Sequence, residues 1–265
     1  MLKQRVITAF ILIAVIAGAV AAGKWAVVLI IGVCAVGGAF EYSRLVTLKP
    51  KFADNLPLMA ANALTVIASV YLPQYLFQIA VISILLIFMI SIMTPEPDAA
   101  RSVLLVWGYI YSGLFLALGI RLLLSQAGYY VLIPAIASCA ACDTAAYFVG
   151  RKFGKKKLCP KISPNKTVEG AVGGFIFAYG VFAASYIFCK GALGENALLF
   201  FLTGGIVTGI TGQFGDLAAS LIKRKFSVKD YGDIFPGHGG FLDRIDSYLF
   251  VLAAVYILAG FIIKL

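Results

Sequence analysis

The sequence predicts an all-α fold, a polytopic integral membrane helix bundle, on three observations. Hydrophobic residues make up 62% of the chain and charged residues 13%, against ~25% charged in an average soluble domain. The mean hydropathy is +0.97. The apolar residues also gather in separate continuous runs, each long enough to cross ~30 Å of hydrocarbon as a helix. Continuous rather than alternating runs exclude a transmembrane β-barrel, and a soluble fold would lack the polar surface to cover itself.

Nine spans follow in order: Val6–Ala22, Ala26–Leu45, Leu56–Leu72, Tyr75–Met93, Val103–Leu123, Tyr129–Val149, Ala171–Phe188, Ala197–Ile222 and Ile245–Ile263. The first resembles a signal peptide, with Lys3 and Arg5 ahead of an apolar stretch that ends on small residues. With eight more runs behind it, it reads as an uncleaved first helix. The breaks carry turn chemistry: Leu72-Pro73-Gln74, Pro95-Glu96-Pro97, and Gly191 to Asn196. No internal repeat or low-complexity tail is apparent.

Basic residues orient these spans. With the N-terminus cytoplasmic, eighteen of the 22 lysines and arginines fall inside, and only Lys24, Arg121, Lys190 and Lys264 fall outside. Positive-inside asymmetry of this size supports both the orientation and the span count. Lys3, Arg5, Arg44, Lys49, Lys51 and Arg101 contribute, but the other twelve lie in the sixth–seventh and eighth–ninth connections. These two long cytoplasmic loops hold most of the unusual chemistry. The chain therefore reads as a single membrane domain, 1–265, in which 1–128 supply scaffold spans and 129–265 a catalytic core.

The net charge of +10 lies between apolar runs. That placement suits anionic lipid, a phosphorylated substrate and topology, and argues against nucleic acid. Five cysteines are too scattered for a disulfide framework, and Cys139 and Cys142 read as small packing residues. His238 is the single histidine, so a histidine-built zinc site is not available.

Ionisable groups at membrane depth are costly and mark function. Asp143 lies in the sixth span and Asp216 in the eighth, while Asp243 and Asp246 enter the ninth three residues apart, on one helix face. Each acid could instead be the buried partner of a nearby base such as Arg244. Four acids converging on the end that carries the basic loops favour a site. Their hard oxygens suit Mg²⁺, which takes one or two carboxylates together with substrate phosphates.

The first loop, Gly150 to Gly170, combines glycines, a run of lysines and Ser163-Pro164-Asn165-Lys166-Thr167. Lysines supply point charges to phosphate, and hydroxyls and amides donate hydrogen bonds. Asn165 or Thr167 could cap the following helix, whose N-terminus favours an anion. No G-x-x-x-x-G-K-[ST] is present, so this is not a P-loop.

The second loop runs from Ser220 through Lys223-Arg224, Lys229-Asp230, Pro236-Gly237-His238-Gly239-Gly240 and Asp243-Arg244-Ile245-Asp246. In this order the segment closely resembles the signature of the phosphatidate cytidylyltransferase (CDP-diacylglycerol synthase) family. The stretch from Asp143 to Glu169-Gly170 is similar to that family's upstream segment. The resemblance is strong over the last half of the chain and general over the first five spans.

The resemblance implies the reaction of CTP with phosphatidate to give CDP-diacylglycerol and pyrophosphate at the cytoplasmic face of a membrane, bacterial inner membrane included. It further implies Mg²⁺, with a second cation left open, and a homodimer. Asp216 and Asp243 are then expected as metal ligands, with Asp246 and Asp143 as further ligands. Lys166, Lys223, Arg224, Lys229 and Arg244 are candidates to neutralise CTP and phosphatidate. Ser163, Asn165, Thr167 and Glu169 are candidates to orient the nucleotide, beside Asp230. His238 is expected to organise the loop or bind phosphate, and Gly237, Gly239 and Gly240 to allow a sharp turn or close ligand approach. Related enzyme readings are a cytidylyltransferase for another lipid phosphate and a CTP-dependent lipid kinase. A secondary transporter would place its site near the midplane, usually in repeated halves, and a scaffold would have no use for four costly acids.

Overall fold

The computed structural model describes residues 2–47 and 51–264, with the backbone alone for residues 2–6 and 9. Of the topology-setting residues, Lys49 therefore lies outside the described residues, as do the side chains of Lys3 and Arg5. The helices are α1 (Leu2–Ala22), α2 (Lys24–Val46), α3 (Leu56–Tyr71), α4 (Leu76–Ile92), α5 (Ala99–Tyr109), α6 (Phe115–Leu124) and α7 (Gly128–Phe153). A hairpin of β1 (Lys157–Cys159) and β2 (Ser163–Thr167) follows, and then α8 (Val168–Ala184), α9 (Tyr186–Cys189), α10 (Ala197–Lys225) and α11 (Leu242–Ile262).

Among the described residues, eight helices are long and apolar enough to cross a membrane, and α1 adds a shorter apolar stretch, Phe10–Ala22. Helices suit this environment because each satisfies its own backbone hydrogen bonds. Large apolar side chains face outward, Phe77 at 77% and Phe261 at 82% exposed, as lipid contact requires. The fold is a polytopic all-α membrane protein.

Several span edges differ from expectation, two of them beside the long connections. Helix α7 continues four residues past Val149, and α10 ends at Lys225 rather than Ile222. Hydropathy falls at the membrane surface, but a helix stops only where its backbone does. Basic residues in the last turn, Arg151 and Lys152 on α7 and Lys223 to Lys225 on α10, suit its negative end. The first connection is thus shorter than the sequence suggests, and most of it is a two-stranded antiparallel hairpin pairing Lys157 with Thr167 and Cys159 with Ser163.

The chain packs as two units, Met1–Arg121 with Phe226–Ile245, and Leu122–Lys225 with Asp246–Leu265. In the first, a polar seam links α2, α3 and the π-helical turn Ile110–Leu114 that joins α5 to α6. Asn62 donates to the Ala35 carbonyl (2.9 Å) and to Ser112 Oγ (2.8 Å), and Thr65 Oγ1 lies 2.8 Å from Tyr109 Oη. In the second unit, α7, α8 and α10 are tied by Ser138, whose Oγ lies 2.9 Å from the Ala178 carbonyl and 2.7 Å from Thr208 Oγ1. Gly205 of α10 sits against the Tyr179 backbone of α8, where a Cβ would come within 3.0 Å; small residues permit such close crossings. Cys139 and Cys142 are buried and free.

Candidate active site

In the second unit, α7, β2, α8 and α10 surround a cavity of about 550 Å³ lined by Asp143, Arg151, Lys157, Asn165, Lys166, Thr167, Gln213 and Asp216 among others. Thr167 ends the strand in extended conformation and accepts the Gly170 N–H at 3.1 Å, so it caps α8. That cap fixes where β2 stops and so where Lys166 emerges. Lys166 Nζ meets Asp216 Oδ2 at 2.6 Å, and Ser220 Oγ approaches Asp216 Oδ1 at 3.4 Å. Glu169 accepts the Lys156 N–H on both oxygens, at 3.2 and 3.3 Å. Arg224 Nε reaches the Ile162 carbonyl at 3.3 Å. Hairpin and helices thereby hold one another from both sides. Ser163 lies at the start of β2.

Deeper in this unit, α10 and α11 touch at Gly215. A Cβ there would stand 2.8 Å from the Asp246 carbonyl oxygen and 3.1 Å from Ser247 Cα. Beside this crossing, Lys223 Nζ lies 3.9 Å from Asp246 Oδ2, both side chains largely enclosed. Asp216 and Asp246 therefore do have lysine partners, though neither partner is Arg244.

The first unit contains a second cavity, about 490 Å³, lined by Lys229, Asp230, Gly232, Asp233, Phe235, Gly237, His238, Gly239 and Arg244. Its wall is a tight turn: His238 N–H donates to the Phe235 carbonyl (2.8 Å) and Phe235 N–H to the Gly239 carbonyl (2.9 Å). Gly237 and Gly239 have φ of 76° and 82°, values that side chains disfavour. His238 Nδ1 is enclosed with no hydrogen-bond partner among the described residues. Asp243, 7% exposed, accepts the N–H of Tyr231 (2.7 Å) and of Gly240 (3.0 Å) on Oδ2. This carboxylate holds the loop closed.

Sequence reading did not single out Glu41 of α2, although the rule that flagged the four aspartates applies to it equally. It is 3% exposed and accepts the N–H of Phe241 and Leu242 at 2.9 and 3.1 Å. Gln213 was passed over too; it donates to the Ala171 and Gly209 carbonyls at 3.1 and 2.9 Å.

For a metal, no group of three His, Cys, Asp or Glu ligands is assembled among the described residues. Asp143 and Asp216 do line one cavity. A pair of carboxylates fits Mg²⁺, which completes its shell from water and substrate phosphate.

Comparison with known proteins identifies the family. Residues 3–262 match the sequence profile of the Cytidylyltransferase family. A phosphatidate cytidylyltransferase of Bacillus subtilis is 33% identical over 269 residues, 97% of each chain. One from Staphylococcus saprophyticus is 52% identical over 116 residues, 44% of each chain. One from Brucella suis is 40% identical over 154 residues, covering 57% of this chain and 54% of that protein.

Proposed function

Because the chain belongs to the cytidylyltransferase family and is a nucleotidyltransferase of the membrane, we propose that it transfers CMP from CTP to phosphatidate. A phosphate oxygen of the lipid attacks the α-phosphorus of CTP, and the bond to the β-phosphate breaks. CDP-diacylglycerol forms and pyrophosphate leaves. The observation that carries this reading is the cavity of the second unit, which Asp143 and Asp216 on apolar helices line together with Arg151 and the hairpin residues Lys157 and Lys166, the last paired with Asp216. Paired carboxylates amid basic groups suit a polyphosphate brought in with a divalent cation.

The nucleophile is already an ionised phosphate oxygen, so catalysis is mostly positioning and charge stabilisation. Asp143 and Asp216 would hold Mg²⁺. When bound, the ion supplies charge neutralisation at the pentavalent phosphorus and the departing pyrophosphate. Lys166, carried on β2, meets phosphate oxygens beside Asp216. Lys223, 3.9 Å from Asp246, aligns that side chain. In the first unit, Lys229, His238 and Arg244 line a cavity whose basic side chains suit phosphate oxygens. The proposal extends to a homodimer and to a cytoplasmic site.

The reaction is tested with purified protein, labelled CTP, phosphatidate and Mg²⁺. Label is expected in a chloroform-soluble CDP-lipid and is expected to vanish with EDTA. No product from well-folded protein, across several lipid phosphates, overturns the assignment. Orientation is read from Cys159 in β1, in a chain whose other four cysteines are alanine. An impermeant maleimide is expected to label it in inside-out vesicles and to leave it unlabelled in intact cells; the reverse pattern places the hairpin on the outside.

A further inference from the structure

We infer that Glu41, on a helix of the half of the chain otherwise read as scaffold, is the positioning residue for the glycine-rich signature loop. This rests on the function proposed above and adds a residue to it. The first N–H groups of any helix lack intrahelical partners, and a side chain at the N-cap normally serves them. In α11 the preceding residue is Phe241, which has no acceptor. Glu41 serves instead, accepting from Phe241 and Leu242 from 200 positions away.

A local cap would satisfy those N–H groups and fix only the helix. A cap delivered from α2 also fixes where the loop stands on that helix. The rest of the α2 face is shaped for the same task. Gly37 and Gly38 present bare backbone to the side chains of Phe241 and Leu242, and Gly232 and Gly240 lie against the Glu41 carboxyl with no room for a Cβ. Tyr42 stacks on Tyr231 with ring centroids 6.2 Å apart. Positions 37, 38, 41 and 42 share one helical face. That face grips both ends of the segment that lines the cavity with Lys229, His238 and Arg244, while Asp243 ties the segment to itself. The Glu41 carboxyl bonds to the backbone of the loop and of the first turn of α11 and lies against Gly232 and Gly240, so it acts through the loop.

The test uses the full chain in detergent and two readings of Glu41→Gln, which keeps the shape and removes one acceptor and the charge. In hydrogen exchange, amides of 229–244 are expected to exchange about tenfold faster or more, with α7, α8 and α10 unchanged. In kinetics, KM for CTP is expected to rise about tenfold, more than kcat falls, since a displaced loop loses oriented contacts. Gly240→Ala, which presses the loop off an intact Glu41, is expected to give the same pair of results and carries both readings if Glu41→Gln does not fold. Unchanged loop exchange overturns the inference. So does exchange that rises throughout α2 to α6, because Glu41 would then hold the bundle and not the loop. A released loop with wild-type KM overturns it as well. Should the wild type transfer nothing from CTP, the proposed function falls, and the exchange reading alone still decides whether Glu41 anchors the loop.

Discussion

Asp216→Asn is expected to lower turnover about 10²–10³-fold, the loss typical of removing one preorganised charge-stabilising group, with little change in the thermal midpoint. The small stability effect follows from exposure. The Lys166–Asp216 pair is 28% and 29% exposed at its side chains, and ion pairs open to solvent contribute about 0–1 kcal/mol. A large kinetic loss beside a small structural one would separate chemistry from fold. The competing reading makes Asp216 no more than the partner of Lys166. On that reading Asp216→Asn leaves an unmatched lysine, and adding Lys166→Met restores what was lost. The proposed role expects the opposite, a double variant at least as impaired as Asp216→Asn. Turnover of Asp216→Asn within twofold of wild type would remove Asp216 from the reaction.

Gly215→Ala is expected to cost about 1–3 kcal/mol, as overpacking does, and to lower turnover about 100-fold, the penalty of an ångström-scale displacement of reacting groups. A methyl group here meets backbone, the Asp246 carbonyl oxygen and Ser247 Cα, and backbone cannot rotate aside as a side chain could. Helices α10 and α11 must part, and they carry Asp216 and Asp246. Gly180→Ala in α8 is the control, because a Cβ at Gly180 meets nothing within 4 Å. It is expected to stabilise the chain by about 0.5–1 kcal/mol through helix propensity with turnover unchanged. Equal behaviour of the two variants, by thermal melting and CTP turnover, would mean that the crossing has slack.

The span pattern was legible because hydrocarbon imposes a length and an apolar composition on every helix that crosses it. Where that constraint ends, so did legibility. Arg151 and Lys152 read as loop because they are charged, yet helical geometry carries α7 through them. The meeting of Asp143, Lys166 and Asp216 in one cavity could be suspected from chemistry, since each stood out as an ion or a basic loop residue near an apolar run. Their pairing could not, because a 2.6 Å contact between residues 166 and 216 leaves no local pattern. Asp243 stood out as a metal ligand by the same chemistry; that its Oδ2 also accepts two loop amides was not legible, because no local pattern shows which N–H groups lie near a carboxylate. Glu41 was hidden by its surroundings, a single acid in a helix otherwise suited to the bilayer, in the half with no recognisable signature.

The span of 200 residues between Glu41 and the amides it caps also bears on how the chain is made. At about 5–20 residues per second, Phe241 leaves the ribosome roughly 10–40 seconds after Glu41. Throughout that interval α2 carries a carboxyl group whose final partners do not yet exist. An acidic residue within a span opposes insertion, by less toward its end than at its centre, and the apolar stretch of α2, whose 18-residue window has a mean hydropathy of 1.9, has to offset it. A nascent chain that stops short of Phe241 lacks the amides that, in the finished protein, answer this acid and hold the loop.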